Sequence, residues 1–179
     1  MTRRNPPDKL RMIEHLEHEF AQFRGSLAEF SVLDEKDSGV LDRGCDEPER
    51  IRRTAFFECF LLHARILDEF LGGEPVKDDF AAEAFTDGWT RRSPLGEVDP
   101  ITLGGLTVRE LLNKQLAHLT TSRVNQQNLP VAAIASAVLD VLQKFLGRPD
   151  ICTDPDFEQL TDWACATWST TQPPISAGS

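Results

Sequence analysis

The sequence predicts an all-α fold: an antiparallel bundle of four long helices, with short helices in the 72–105 connection and near the C-terminus. Three observations carry this. Apolar residues recur at steps of three and four through most of the chain, no strand-like alternation persists, and helix start and stop signals bracket the periodic stretches. At 179 residues the chain is one domain's worth, and 40% hydrophobic with 27% charged residues is a globular balance that excludes a disordered chain. The expected organisation is a flexible N-terminus over 1–7, a single helical-bundle domain over 8–168 and a disordered tail over 169–179.

The first helix is read from Leu10, Ile13, Leu16, Phe20, Phe23, Leu27 and Phe30, one stripe on an otherwise charged segment from Asp8 to Phe30. Residues 31–50, rich in acids with two glycines, read as a long loop in which Pro48 opens the second helix. At about 100° per residue, Ala55, Cys59, Phe60, Leu62, Ala64, Ile66, Leu67, Phe70 and Leu71 span more than half of that helix. Glu58, Arg65, Asp68 and Glu69 take the rest. So wide an apolar arc predicts a central helix touched by several neighbours, running to Leu71 and stopped by Gly72 and Gly73.

In the connection that follows, "DDFAAEAF" predicts a short helix capped by Asp78 or Asp79, with Phe80, Phe85 and Trp89 docking. Its length exceeds ordinary loops and predicts a packed cover or a lid. Thr107 followed three residues on by Glu110 is a capping box, and Leu106 with Leu111 forms a hydrophobic staple, so a third long helix begins there and runs to about Val124. Asn128 and Pro130 open a fourth, with Val131, Ile134, Val138, Val141, Leu142, Phe145 and Leu146 on its apolar side and Gly147 and Pro149 as its stop. Asp154 and Pro155 open a shorter fifth helix through Phe157, Leu160 and Ala164.

Charge narrows the function classes. With 29 Asp+Glu against 19 Lys+Arg the formal net charge is −10, which argues against a general nucleic-acid or anionic-membrane binder. No apolar run approaches the ~20 residues of a membrane span, and the N-terminal residues lack the apolar core of a secretory signal, so a soluble, cytoplasmic protein is expected. Cys45, Cys59, Cys152 and Cys165 are widely spaced and read as reduced structural thiols. The acids concentrate in the first helix and the segments 34–49 and 150–162. The third helix has Arg109, Lys114 and Arg123 against Glu110 alone, leaving one locally basic edge.

Two histidines stand out. His63 falls in line with Phe56, Phe60, Leu67 and Phe70, so its imidazole is expected to point into the bundle and to need a hydrogen-bond partner. His118 sits at the border of core and solvent, with Lys114 and Ser122 along the same edge. A histidine so placed suits general acid or base work, with Lys114 and Arg123 as charge stabilisers. His15 and His18, with Glu14, Glu17 and Glu19, look like fragments of a metal-binding helix, but His18 and Glu14 lie away from the apolar stripe and read as a solvated face. No phosphate loop, Gly-x-Ser-x-Gly elbow or His-Glu-x-x-His is present, and no cofactor or metal is expected. The arginine clusters Arg50, Arg52, Arg53 and Arg91, Arg92 read as salt-bridged surface.

The segments "FFECFLLHARILDEFL" and "NKQLAHLTTSR", joined by "VKDDFAAEAF" and Trp89, are similar to a group of uncharacterised bacterial helical proteins and more remotely resemble HEPN domains, over roughly Pro48 to Phe145. The HEPN resemblance implies a helical bundle that dimerises and, in many members, a metal-independent ribonuclease whose Arg precedes His by four to six residues. The sequence departs from that motif. Arg109 is the nearest preceding arginine to His118, and nine steps of about 100° put the two on opposite sides of the helix. Two expectations result. One is a non-catalytic interaction or regulatory module, a homo-oligomer or bound to a protein partner. The other is a HEPN-like ribonuclease or toxin acting on RNA through His118, Lys114 and Arg123, with His63 as a second acid. A small-molecule pocket under Phe80, Phe85 and Trp89 is a third possibility.

Overall fold

The computed structural model describes residues 6–37, 47–73, 81–98, 107–110, 112 and 129–171. Every regular element among them is helical: α1 (Pro6–Asp37), α2 (Glu47–Gly72), a 3-10 turn (Ala82–Ala84), α3 (Pro94–Glu97), α4 (Val131–Leu146), α5 (Pro149–Cys152), a second 3-10 turn (Pro155–Phe157) and α6 (Glu158–Thr171). The fold is all-α. No helix among the described residues is long and apolar enough to cross a membrane.

α1 and α2 form an antiparallel hairpin, because their contacts pair late residues of one with early residues of the other: Asp34 with Arg53, Phe30 with Phe57, Phe23 with Phe60 and Glu19 with His63. The stripe read from Leu10 to Phe30 faces α2, except that Leu10 itself is exposed. It continues to Leu33, which is buried, and this carries the helix to Asp37 where a loop was expected after Phe30. Gly25 leaves the helix unbroken.

On α2 the arc was drawn too far to one side. Leu61, Ala64, Leu67 and Leu71 are buried together with Asp68, which the projection had assigned to the polar face, whereas Ala55 and Leu62 are exposed. α4 crosses the C-terminal half of α2 through an aromatic hub. Phe145 lies 5.4 Å from Phe70, 5.5 Å from Trp89 and 5.9 Å from Phe157. Phe85 closes the group at 5.6 Å from Phe157. Burying a ring of this size contributes about 1.5–3 kcal/mol, and the predominantly edge-to-face geometry is the one aromatic quadrupoles favour.

The connection after α2 is a packed cover over this hub. Trp89 Nε1 and Arg92 N–H both donate to the Leu71 carbonyl, at 2.9 and 3.4 Å, so a helix-terminal carbonyl is satisfied by the cover. A Cβ at Gly72 would run into the backbone of Arg92 and Ser93, so a side chain there would push the cover off the helix end. The 3-10 turn starts at Ala81 without a side-chain cap, while Asp78, Asp79 and Phe80 lie outside the described residues. α3 was not foreseen. Pro149, expected as a stop, instead opens the single turn α5, whose Ile151 is buried.

The capping box is present at Thr107. Its Oγ1 accepts from Glu110 N–H at 3.2 Å, and its own N–H donates to Glu110 Oε2 at 2.8 Å. Residues 108–110 and 112 are helical, and Val108 and Leu112 are buried. The rest of that expected helix, with Leu106 and Leu111 of the staple, lies outside the described residues. α6 lies along α1, with the Arg24 guanidinium 5.5 Å from the Trp163 ring centre, and the 3-10 turn before it is tied to α1 by Lys9, which pairs with Asp154 and Asp156. It runs to Thr171, so 169–171 extend a helix; 1–5 and 172–179 lie outside the described residues.

Candidate functional site

His63 lies midway along the α1–α2 seam and is 9% exposed. Its Nδ1 is 2.6 Å from Glu19 Oε2 on α1. An ionised carboxylate can only accept, so in the neutral ring Nδ1 carries the proton and Nε2 the lone pair. Among the described residues Nε2 makes no hydrogen bond, and it is not among the fully enclosed polar atoms. The His18 ring stands edge-on to His63, centroids 6.4 Å apart and planes at 82°. His18 is exposed and Glu19 half-buried.

Local sequence explains this placement. Glu19 falls three residues after Leu16 and four before Phe23, at the border of the stripe that faces α2. His18, one residue earlier, is turned towards solvent. The expectation that His63 points inward is met, and its partner is a carboxylate 44 residues away in sequence. What the arrangement can do chemically is orient an imidazole, hold one tautomer and offer the outward nitrogen as an acceptor or ligand. Among the described residues no three His, Cys, Asp or Glu side chains converge to hold a metal ion.

A second buried polar residue was missed. Asp68 has no exposed surface, and its Oδ1 accepts from Ser93 Oγ at 2.6 Å and from Leu95 N–H at 2.9 Å. Its Oδ2 forms an ion pair with Arg109 Nε at 3.5 Å but accepts no hydrogen bond. Burial pushes the Asp68 carboxyl above the usual carboxylate range, opposed by the Ser93, Leu95 and Arg109 contacts. The available signal was positional: Leu61, Ala64, Asp68 and Leu71 recur at three, four and three residues, a core line with one acid in it. Asp68 ties the cover and the capped helix start to α2, and Arg109, considered above as a partner for His118, is committed to it. His118, Lys114 and Arg123 lie outside the described residues, so of the four candidate site residues only His63 is placed.

The fold and the seam thus define an all-α protein with a carboxylate-oriented histidine between two long antiparallel helices. Comparison with family models, with curated proteins and with solved structures gave no match.

Proposed function

We propose that this chain is a non-catalytic interaction or regulatory module that self-associates, built as an antiparallel four-helix bundle in which the helix opened at Thr107 is the third long member. The observation that carries this reading is the outer face of α2. Ile51 is 59% and Leu62 43% exposed, and with exposed Ala55 and half-buried Cys59 and Ile66 they recur at steps of three and four. From Ile51 to Ile66 this row is about 22 Å long at 1.5 Å per residue. An apolar row at that spacing is the seam two helices share. A second copy is the occupant that fits, because Arg52 stands near one end of the row and Glu69 near the other. An antiparallel copy therefore brings Arg52 of each chain towards Glu69 of the other.

Sedimentation equilibrium over a wide concentration range tests the reading. A dimer is expected, reduced to monomer by Ile51→Glu with Leu62→Glu while the helical circular dichroism is retained; a strict monomer at every concentration refutes it. RNA cleavage in EDTA by the purified chain, abolished by His118→Ala, would instead favour the ribonuclease reading.

A further inference from the structure

We propose that His63 and His18 form a binding site for a divalent cation of the zinc class, with Glu19 as its positioning residue. Imidazoles that ligate metals characteristically donate their other ring N–H to a carboxylate, which fixes the tautomer, holds the ring plane and raises the basicity of the free nitrogen. Glu19 does this to His63 at 2.6 Å, in a seam where the imidazole is buried and has little freedom to turn. The nitrogen left over makes no hydrogen bond among the described residues and is not fully enclosed.

Among the described residues, the His18 ring is the one imidazole that stands against it, edge-on. Two imidazoles sharing a tetrahedral ion at Zn–N about 2.0–2.1 Å have ring centres about 5 Å apart. The observed 6.4 Å therefore closes by a shift of roughly 1.5 Å, which the exposed His18 can make by side-chain rotation while His63 stays still. The surroundings favour a cation. Glu14 and Glu17 lie within about a turn of His18 on the same helix, and the charge of Glu14 acts on Glu17. With the Glu19 oxygen engaged by His63, the protein supplies two nitrogen ligands and water completes the shell. Nitrogen donors select zinc, copper or nickel over magnesium or calcium, which require oxygen.

Calorimetric titration of the full chain with zinc chloride at neutral pH tests this, with magnesium chloride as the control. One saturable zinc site is expected, with no response to magnesium. His18→Gln changes an exposed residue and leaves the fold intact; it should weaken zinc binding at least tenfold. Glu19→Gln should weaken it about tenfold, the scale of losing a carboxylate behind a ligating histidine, with circular dichroism confirming that the helices remain. The proposal is overturned if zinc does not bind, if affinity is unchanged by His18→Gln, or if binding is lost only when the thiols are alkylated.

Discussion

Helix α2 buries a polar side chain at two places and treats them differently. Near its middle, His63 meets one carboxylate from the neighbouring helix, and among the described residues its second nitrogen makes no hydrogen bond. Near its C-terminal end, Asp68 is sealed completely and held by a hydroxyl, a backbone N–H and a guanidinium from the chain that covers it. The first group is oriented and available; the second is consumed in holding segments together. Burial alone therefore does not mark a functional residue. The free lone pair distinguishes His63, and the number of bonds between segments distinguishes Asp68.

The comparison breaks most visibly at Asp68. Asp68→Ala strands the Leu95 N–H and the Ser93 hydroxyl at once, and leaving buried donors without acceptors costs about 1–3 kcal/mol each, while the part-exposed Arg109 is rehydrated. Urea denaturation should show a loss of that size; a loss below about 1 kcal/mol would mean that the cover repacks freely. Gly72→Ala tests the same junction without touching charge. Its new methyl meets the backbone of Arg92 and Ser93, and overpacking of this kind costs roughly 1–3 kcal/mol, readable as a lower thermal midpoint.

The seam should be softer. Deleting either partner of the His63–Glu19 bond, as in His63→Leu or Glu19→Ala, is expected to cost about 1–2 kcal/mol, since one hydrogen bond to a charged group is lost and the remaining partner can be rehydrated. A double-mutant cycle should return a coupling of about 1 kcal/mol. A coupling near zero would mean that the two residues are neighbours rather than partners.

The smallest effects lie in pH. Because the Asp68 carboxyl titrates above its ordinary 3.8 in the folded chain, the native state binds more protons between that value and the raised one. Its contribution to stability is therefore complete below 3.8 and is lost as pH rises through the folded value. Asp154 behaves oppositely. Its hydrogen bond with Lys9 holds its carboxyl below 3.8, so its contribution is present above 3.8 and is lost as pH falls through the folded value. Acidification from neutral to pH 4 should thus widen the stability gap between the native chain and Asp68→Asn. The gap to Asp154→Asn should hold down to about pH 4 and narrow below it. Parallel denaturation curves at stepped pH decide the signs.

Much of the helical framework is local and was legible. The Thr107–Glu110 box, the Gly72 stop, the α4 stripe and the Asp154–Pro155 start each depend on residues within one or two turns. The α1 boundary was misplaced because polar residues after Phe30 outnumber apolar ones, yet Leu33 keeps the stripe going and α2 supplies the surface that buries it. α3 carries a local start, with Ser93 Oγ accepting from Gly96 N–H and Pro94 as its first residue, but at four residues it is too short to show an apolar period, and Asp68, 27 residues from Leu95, helps to hold it. Of the candidate site, the inward direction of His63 follows from helical periodicity. Its partner does not, because nothing in the spacing from 19 to 63 says how the hairpin closes.

What the sequence by itself determined is where helices form and which way most side chains face, since propensity, capping and the 3.6-residue period act over a few residues. The tertiary structure alone decided which polar groups meet. The antiparallel closure of α1 on α2 set Glu19 against His63, and the fold-back of the cover onto Leu71 enclosed Asp68. A buried charge is tolerable only where distant donors converge on it, and that convergence is a property of the assembled fold.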